Sequence, residues 1–353
     1  MKTILRTFVG CTAILFGTAC MGAVKYVPEN MKVELSLKVP GNNAVNYKLH
    51  PDKLENSYFD YEWRSDNKLP ITVFHKVEER DSCMRLTVQL TAAQDVYFNY
   101  RQLLSTGYRH DNCQFYMPGF WYRRNLRSPK KAPSFHTSDS WLVREDRLSA
   151  PLTGIFSEKE KRFMTVNRLD DFSMDALATH KEGEIILSGK TSLGFTGFEN
   201  QQGIAMLSFG FPYREAPKSY IRKLTLAPEV EAFQLMKKGE SVLLTWEIME
   251  SGADDFSDFI QHTWEHCYDT YAPKPVENSY SIADMKQVLS CFFVNSLVDN
   301  QPLVYNSGIH LKVSDCERNG QAEVGFIGRV LLNAFNAWEY GWQSNREELK
   351  VNS

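Results

Sequence analysis

Residues 31–39 read MKVELSLKV and residues 83–90 read CMRLTVQL, and in both segments apolar side chains alternate with polar or charged ones. This period of two is typical of a β-strand with one buried face. Similar segments follow one another to about residue 250, separated by clusters of Gly, Asn, Asp and Pro. Many short strands with turn residues between them predict an antiparallel fold, and the length of the region favours a large two-sheet β-sandwich.

The first 23 residues have the layout of a secretory signal peptide. Lys2 and Arg6 form a positive segment, residues 7–17 are apolar, and small residues follow. Such a segment is removed on export and is too short to span a bilayer as a helix. Cys20 adds the alternative of a lipid anchor, the only membrane connection that we expect for the mature protein. The sequence therefore predicts an exported protein of the periplasm or the outer-membrane surface.

The period changes after residue 250, so we predict a β-sandwich domain over residues 24–250 and an α-helical segment over residues 251–353. Ser251 and Asp254 have the spacing of a helix cap. The apolar residues that follow recur at helical spacing: Phe256, Phe259, Ile260, Trp264, Cys267 and Tyr271.

Ser281 with Asp284 predicts the capped start of a second helix. A third helix is predicted from about residue 321, and the chain stops while a fourth begins. We therefore expect an incomplete helical array. In such an array Phe335 and Trp338 would lack one covering neighbour and stay partly exposed.

Composition narrows the class of protein. A formal net charge of −3 and a pI near 6.3 argue against a general nucleic-acid binder, which would carry a basic excess. No dinucleotide-binding G-x-G-x-x-G, no P-loop and no Cys-x-x-Cys pair occurs. We therefore expect no cofactor and no resident metal, and the sequence leaves the oligomeric state open.

Residues 101–131 combine basic and aromatic side chains. Arginine forks bind carboxylates at two points and flat rings can stack on sugars, so a groove for acidic sugars would need these residue types. The candidate substrate-binding residues are Trp121, Tyr122, Arg123, Arg124, Trp141 and Arg144. Two alternatives stay open: a solvated loop flanked by core aromatics, and an internal salt-bridge network over residues 144–147.

Residues 262–266 read HTWEH and match H-x-x-E-H, in which two histidines one turn apart bind zinc and the glutamate activates water. Both histidines and Glu265 lie opposite the apolar stripe of their predicted helix. We therefore interpret them as a solvated polar face and keep a zinc peptidase only as a remote alternative.

Glycoside hydrolysis needs two carboxylates that flank one bond. The candidate catalytic residues are Glu323, at the start of the third predicted helix, and Asp315, in the loop before that helix. Glu323 stands beside Gly325 and Gly328, which would permit close approach of a ligand or of another backbone. Helix capping by Glu323 is the alternative.

Two stretches carry a family resemblance. Residues 226–247, with the turn Gly239-Glu240-Ser241, resemble the closing strands of the large sandwich that precedes an (α/α)6 barrel. Residues 322–329, AEVGFIGR, with Asn333 and Ala334, resemble an early barrel helix of six-hairpin glycosidases from gut Bacteroidetes, with β-glucuronidase-like members the nearest group. The resemblance implies a sandwich followed by the start of an (α/α)6 barrel.

The sequence thus predicts a secreted, glycan-directed protein, namely a glycoside hydrolase that lacks most of its barrel and acts on polysaccharides or acidic oligosaccharides. The alternative is a non-catalytic carbohydrate-binding sandwich module whose helices only buttress it.

Overall fold

The computed structural model describes residues 28–55, 57–80, 83–126, 131–171, 174–178, 181–275, 277, 279–295, 309–311, 316–318 and 327–352. The predicted signal peptide and Cys20 lie outside the described residues, as do Asp315 and Glu323. The chain divides into two compact units, Met1–Tyr271 and Ala272–Ser353. Among the described residues, no helix has the length and apolar character needed to cross a membrane.

The first unit is built from strands. They are β1 (Met31–Lys38), β2 (Val45–Lys53), β3 (Tyr61–Arg64), β4 (Ile71–Glu79), β5 (Cys83–Ala92), β6 (Val96–Arg109), β7 (Cys113–Met117), β8 (Trp121–Arg123), β9 (Trp141–Arg144), β10 (Leu152–Ser157), β11 (Arg162–Arg168), β12 (Gly183–Ile186), β13 (Phe195–Gln201), β14 (Ile204–Phe211), β15 (Arg214–Glu215), β16 (Ser219–Arg222), β17 (Thr225–Ala227), β18 (Val230–Met236) and β19 (Ser241–Gly252).

Most of these strands form two antiparallel sheets. Sheet A has the order β9-β13-β14-β6-β1-β2. Sheet B has the order β2-β3-β4-β5-β19-β11-β10-β7-β8. Strand β2 joins the sheets, since its first half pairs with β1 and its second half with β3. The described residues therefore agree with the predicted large antiparallel sandwich.

The alternating pattern of the sequence fills the sandwich interior. Leu86, Val88 and Leu90 point inwards from β5 and are completely buried, while the intervening side chains are only partly covered. The interior also holds a buried hydrogen bond of 2.6 Å between His75 Nε2 and the Tyr100 hydroxyl. Burial lowers the pKa of His75 to about 3, so its ring is neutral in the folded protein.

Helix α1 (Phe256–Tyr271) packs on the outer face of sheet B and completes the first unit. The predicted cap was wrong, because Ser251 still belongs to β19, and Asp255 Oδ1 instead accepts hydrogen bonds from the amides of Ser257 and Asp258. The boundary predicted at residue 250 therefore falls inside a packed unit.

The contact between helix and sheet depends on a glycine. Phe259 is completely buried and lies 5.0 Å from the Phe163 ring and 6.0 Å from the Phe156 ring, centroid to centroid. A Cβ on Gly154 would come within 2.6 Å of Phe259 Cζ. The absence of a side chain at residue 154 thus lets the helix approach the sheet closely.

The second unit, described by itself, contains α2 (Ile282–Asn295), β20 (Ile309–Leu311), β21 (Cys316–Arg318), α3 (Ile327–Ser344) and α4 (Glu347–Asn352). The predicted capping of α2 is confirmed, since the Asp284 amide donates to Ser281 Oγ and the Ser281 amide to Asp284 Oδ2. Phe335 and Trp338 are 57% and 44% exposed, as expected. The described helices do not establish the start of an (α/α)6 barrel.

Candidate functional site

A polar cluster lies where α1 covers sheet B. In the register of β5 with β19, Arg85 is opposite Glu247 and Cys83 is opposite Met249, so Cys83 and Glu247 are diagonal neighbours on one face. Helix α1 adds His266 and Thr270 from above. Cys83, Glu247 and His266 together are called the Cys83 cluster below.

Glu247 is the centre of this hydrogen-bond network. Its Oε1 is 2.8 Å from His266 Nε2 and accepts a hydrogen bond of 2.9 Å from the Thr270 hydroxyl. Its Oε2 accepts a hydrogen bond of 3.1 Å from the Arg85 guanidinium. Glu247 and Cys83 are both buried. A buried carboxylate is therefore held by two cationic side chains and a hydroxyl.

The ionisation of the Cys83 cluster follows from these contacts. Burial alone would raise the pKa of Glu247, but hydrogen bonds from His266, Arg85 and Thr270 outweigh it and lower the pKa to about 2. Hydrogen bonds with Cys83 and Glu247 raise the pKa of His266 to about 9, although burial opposes this shift. At neutral pH the pair is an imidazolium and a carboxylate.

The structure corrects the interpretation of the HTWEH segment. His266 faces sheet B, not solvent, because the underlying strand supplies Glu247 as its partner. His262 is paired with Asp258 at 3.4 Å, and the Glu265 carboxylate accepts a hydrogen bond from Gln261 within the helix. The three residues of the zinc-peptidase pattern thus do not converge, and only His266 belongs to a cluster.

A second buried network continues from the end of α1. The Tyr271 hydroxyl is 2.8 Å from Asn167 Oδ1 and 3.0 Å from the backbone oxygen of Arg168. The Arg168 guanidinium donates to Glu145 Oε2 at 2.7 Å and to Asp170 at 3.0 Å. Both Arg168 and Glu145 are buried, so they form an internal ion pair. These contacts fix the end of α1 to the sandwich.

Aromatic and arginine side chains of the predicted sugar-binding segment meet α1 at the surface. The Tyr122 ring is 5.4 Å from the buried ring of Tyr116, whose hydroxyl accepts a hydrogen bond of 2.8 Å from Trp264 Nε1. Tyr268 follows one turn later on α1. Tyr122, Trp264 and Tyr268 are 52%, 38% and 66% exposed.

Arg123 completes this surface. It is exposed, it has a positive φ of 58°, and its guanidinium lies 4.9 Å from the Phe256 ring centroid. Stacking on this ring orients the guanidinium while its edge remains free to donate hydrogen bonds to solvent or ligand. Tyr122, Arg123, Trp264 and Tyr268 are called the Tyr122 patch below.

The other four predicted substrate-binding residues do not join the Tyr122 patch. Trp121 and Trp141 are completely buried, with ring centroids 5.9 Å apart. Their proposed role as stacking faces was wrong, because the sandwich interior covers both rings. Arg124 donates at 3.2 Å to the Cys113 backbone oxygen and lies over the Phe135 ring. It therefore anchors the hairpin to its own backbone.

Residues 144–147 form an internal salt-bridge network, which is one of the two alternative interpretations of this segment. The Arg144 guanidinium donates to Asp146 at 2.8 Å and to Asp175 at 3.0 Å, and it lies 4.1 Å from the Tyr213 ring centroid. Arg147 pairs with the buried Glu215. These arginines are engaged by protein carboxylates.

Sequence reasoning missed the Cys83 cluster and the contribution of α1 to the Tyr122 patch. The signal for the cluster was the histidine at residue 266, whose partners come from strands far away in the sequence. Cys83, Cys113 and Cys267 are free, buried thiols, and no disulfide joins Cys83 to Cys113. The catalytic candidates Asp315 and Glu323 lie outside the described residues and remain predictions.

No protein-family model and no curated protein matches this chain. Among solved structures, a polysaccharide lyase matches with 12% identity and a TM-score of 0.32, over 66% of this chain and 27% of the lyase. A candidate kojibiose phosphorylase from the human microbiome matches with 5% identity and a TM-score of 0.28, over 73% of this chain and 26% of its own.

A candidate aldose 1-epimerase from Klebsiella pneumoniae matches with 10% identity and a TM-score of 0.31, over 68% of this chain and 62% of its own. The chain thus spans only about a quarter of the lyase and of the phosphorylase. All three names refer to carbohydrate chemistry, but the likeness is too loose to assign a family or an activity.

Proposed function

We propose that this chain is a glycan-binding protein and that the Tyr122 patch is its binding surface. The observation that carries the proposal is that Tyr122 and Trp264 both contact Tyr116, whose ring lies 6.5 Å from the Phe256 ring on which Arg123 stacks. Tyr268 is exposed one turn beyond Trp264 on the same helix. The aromatic rings offer apolar faces for sugar rings, and the guanidinium offers two parallel donors to a uronic-acid carboxylate.

The residues of the Tyr122 patch belong to a strand and a helix that contact each other. Tyr122 and Arg123 lie on strand β8, which pairs with β7, and Trp264 and Tyr268 lie on α1. The hydrogen bond from Trp264 to the buried Tyr116 connects the two elements. Side chains fixed in this way lose little conformational freedom when a ligand binds, which favours affinity.

The test is a binding titration of the full chain with neutral and uronic-acid-containing oligosaccharides. Tyr122→Ala and Tyr268→Ala should each weaken binding about two- to tenfold, since the loss of one aromatic contact costs roughly 0.5–1.5 kcal/mol. Tyr58→Ala is the matched control, because Tyr58 is also exposed but lies between β2 and β3. If neither type of sugar binds, or if all three variants behave alike, the proposal fails.

Arg123 should decide between acidic and neutral sugars. Arg123→Lys keeps the charge but loses the planar fork, so binding of the acidic sugar should weaken while binding of a neutral sugar stays unchanged. Equal effects on both sugars would contradict a carboxylate contact.

Hydrolysis of the bound glycan is a separate proposal that rests on the sequence resemblance. In it, Glu323 and Asp315 act as the pair of carboxylates. Release of reducing ends by the chain, or by a longer gene product, and its loss in Glu323→Gln would support a glycosidase. Binding without hydrolysis in either form would favour the non-catalytic module.

Export is proposed from the signal-peptide pattern. Sequencing of the mature N-terminus should find residues 1–23 removed, or residues 1–19 removed in the anchored form, which begins at Cys20. A lipid label that disappears in Cys20→Ala would support the anchored form, whereas a cytoplasmic protein with an intact N-terminus would contradict export.

A further inference from the structure

We propose that Cys83, Glu247 and His266 form a binding site for one zinc-type transition-metal ion between α1 and sheet B. The site is distinct from the Tyr122 patch. One thiol sulfur, one carboxylate oxygen and one imidazole nitrogen, one from each residue, all lie within 4.8 Å of one another. These are the three donor types that bind zinc in proteins.

The spacing suits a single ion. Zinc lies about 2.3 Å from sulfur and about 2.0–2.2 Å from nitrogen and oxygen, so tetrahedral ligands are roughly 3.2–3.8 Å apart. Small side-chain rotations bring ligand atoms within 4.8 Å to that distance. Three protein ligands would leave the fourth position for water, which is the arrangement of reactive zinc sites rather than of purely structural ones.

The three ligands come from three elements that already meet. Cys83 begins β5, Glu247 lies on the neighbouring β19, and His266 lies on α1. Binding of an ion would therefore require no rearrangement of the backbone. It would also fasten the helix to the sheet at a point where the chain has no disulfide among its described cysteines.

The surroundings act as a second layer of contacts. Arg85 binds the Oε2 atom of Glu247 and fixes the orientation of the carboxylate, while Oε1, which contacts His266 and Thr270, would exchange its contact with His266 for the ion. Zinc binds cysteine as a thiolate and histidine as a neutral imidazole, so loading of this site with the ion would release protons. The carboxylate, already ionised, supplies its oxygen without a further proton.

This site differs from the zinc-peptidase pattern in the same helix. That pattern would use His262 together with His266 and would employ Glu265 as the base. In the structure His262 is paired with Asp258, and Cys83 and Glu247 are the neighbours of His266. The two hypotheses therefore make opposite predictions for His262.

The experiment uses the full chain with reduced thiols, freed of metal and titrated with Co²⁺ and Zn²⁺. We expect one ion per chain, with a thiolate-to-cobalt absorption band in the near ultraviolet. Cys83→Ser and His266→Gln should each weaken binding by at least about 100-fold, since loss of even a second-layer contact costs about 10–100-fold. His262→Gln and Cys113→Ser, the matched controls, should bind as the unchanged chain does.

A measurement on the unchanged chain is also needed, because a substituted variant that fails to fold would lose metal binding for another reason. X-ray absorption of the zinc-loaded protein should show one sulfur and otherwise nitrogen or oxygen scatterers. A shell without sulfur, full binding in His266→Gln, or an equal loss in His262→Gln would overturn the proposal. Absence of stoichiometric binding would overturn it too, and would leave the cluster as an ion pair that holds α1 on the sheet.

Discussion

The contact between Gly154 and Phe259 gives a sharp test of how α1 is held on the sandwich. Phe259→Ala removes a completely buried ring, which should cost about 3–5 kcal/mol of unfolding free energy. Gly154→Ala adds a methyl group 2.6 Å from Phe259 Cζ and 3.1 Å from Thr165 Cγ2. Overpacking of this kind should cost about 1–3 kcal/mol.

The double variant distinguishes this contact from general destabilisation. With the ring gone, the new methyl group at residue 154 points into vacated space and only Thr165 remains close. Gly154→Ala should then cost less in the Phe259→Ala background than alone, with a coupling of about 1 kcal/mol or more.

Urea unfolding followed by circular dichroism supplies the four free energies, from the midpoints and slopes. Gly189→Ala serves as the matched control, because its nearest neighbour would be Ala176 Cβ at an ordinary 3.8 Å. Additivity of the two substitutions within about 0.3–0.5 kcal/mol would refute the argument. So would a Gly154→Ala cost no larger than that of the control.

Four further predictions follow from buried titratable side chains and from exposed rings. Because His75 has a folded pKa of about 3 against about 6.5 unfolded, stability should fall as pH drops between these values, by up to about 1.4 kcal/mol per unit; His75→Gln should flatten this limb in unfolding titrations. The raised pKa of His266, about 9, gives the opposite sign: its contribution is complete below pH 6.5 and lost as pH rises through about 9, so His266→Gln should remove that alkaline loss. Arg168→Met should cost about 3–5 kcal/mol by leaving the buried Glu145 unpaired, and the double variant with Glu145→Gln should recover part of it; no recovery would contradict the pairing. Trp338→Lys should lower binding of a hydrophobic dye, since Trp338 is exposed beside Phe335 at 6.2 Å; unchanged binding would show that this surface is not what the dye recognises.

The strands were predictable because their pattern is local. The alternation over residues 31–39 and 83–90 identified β1 and β5, and Ser281 with Asp284 identified the beginning of α2. Each of these signals lies within a few neighbouring residues, and a single buried face produces it. The beginning of α1 was misplaced because a cap pattern at Ser251 also fits the end of a strand.

The candidate sites were less predictable because they depend on which outer face is covered. The alternation of side chains predicts which residues of β19 share a face. It does not predict that α1 lies over that face, with His266 next to Glu247. The burial of Trp121 and Trp141 also depends on tertiary packing, because the interior between the two sheets covers both rings. Aromatic residues suit a sheet interior and a sugar surface equally, and only the packing of two sheets decides between these positions.

The position of β19 between β5 and β11 has a consequence for folding during synthesis. Thr91 and Ser241 contact each other although 150 residues separate them. At about 5–20 residues per second, synthesis needs roughly 8–30 s to supply the missing strand. Until then the facing edges of β5 and β11 are open and can pair with other chains. We therefore expect aggregation of this protein to depend mainly on the time between the synthesis of β5 and that of β19, and much less on the free energy of unfolding of the folded protein.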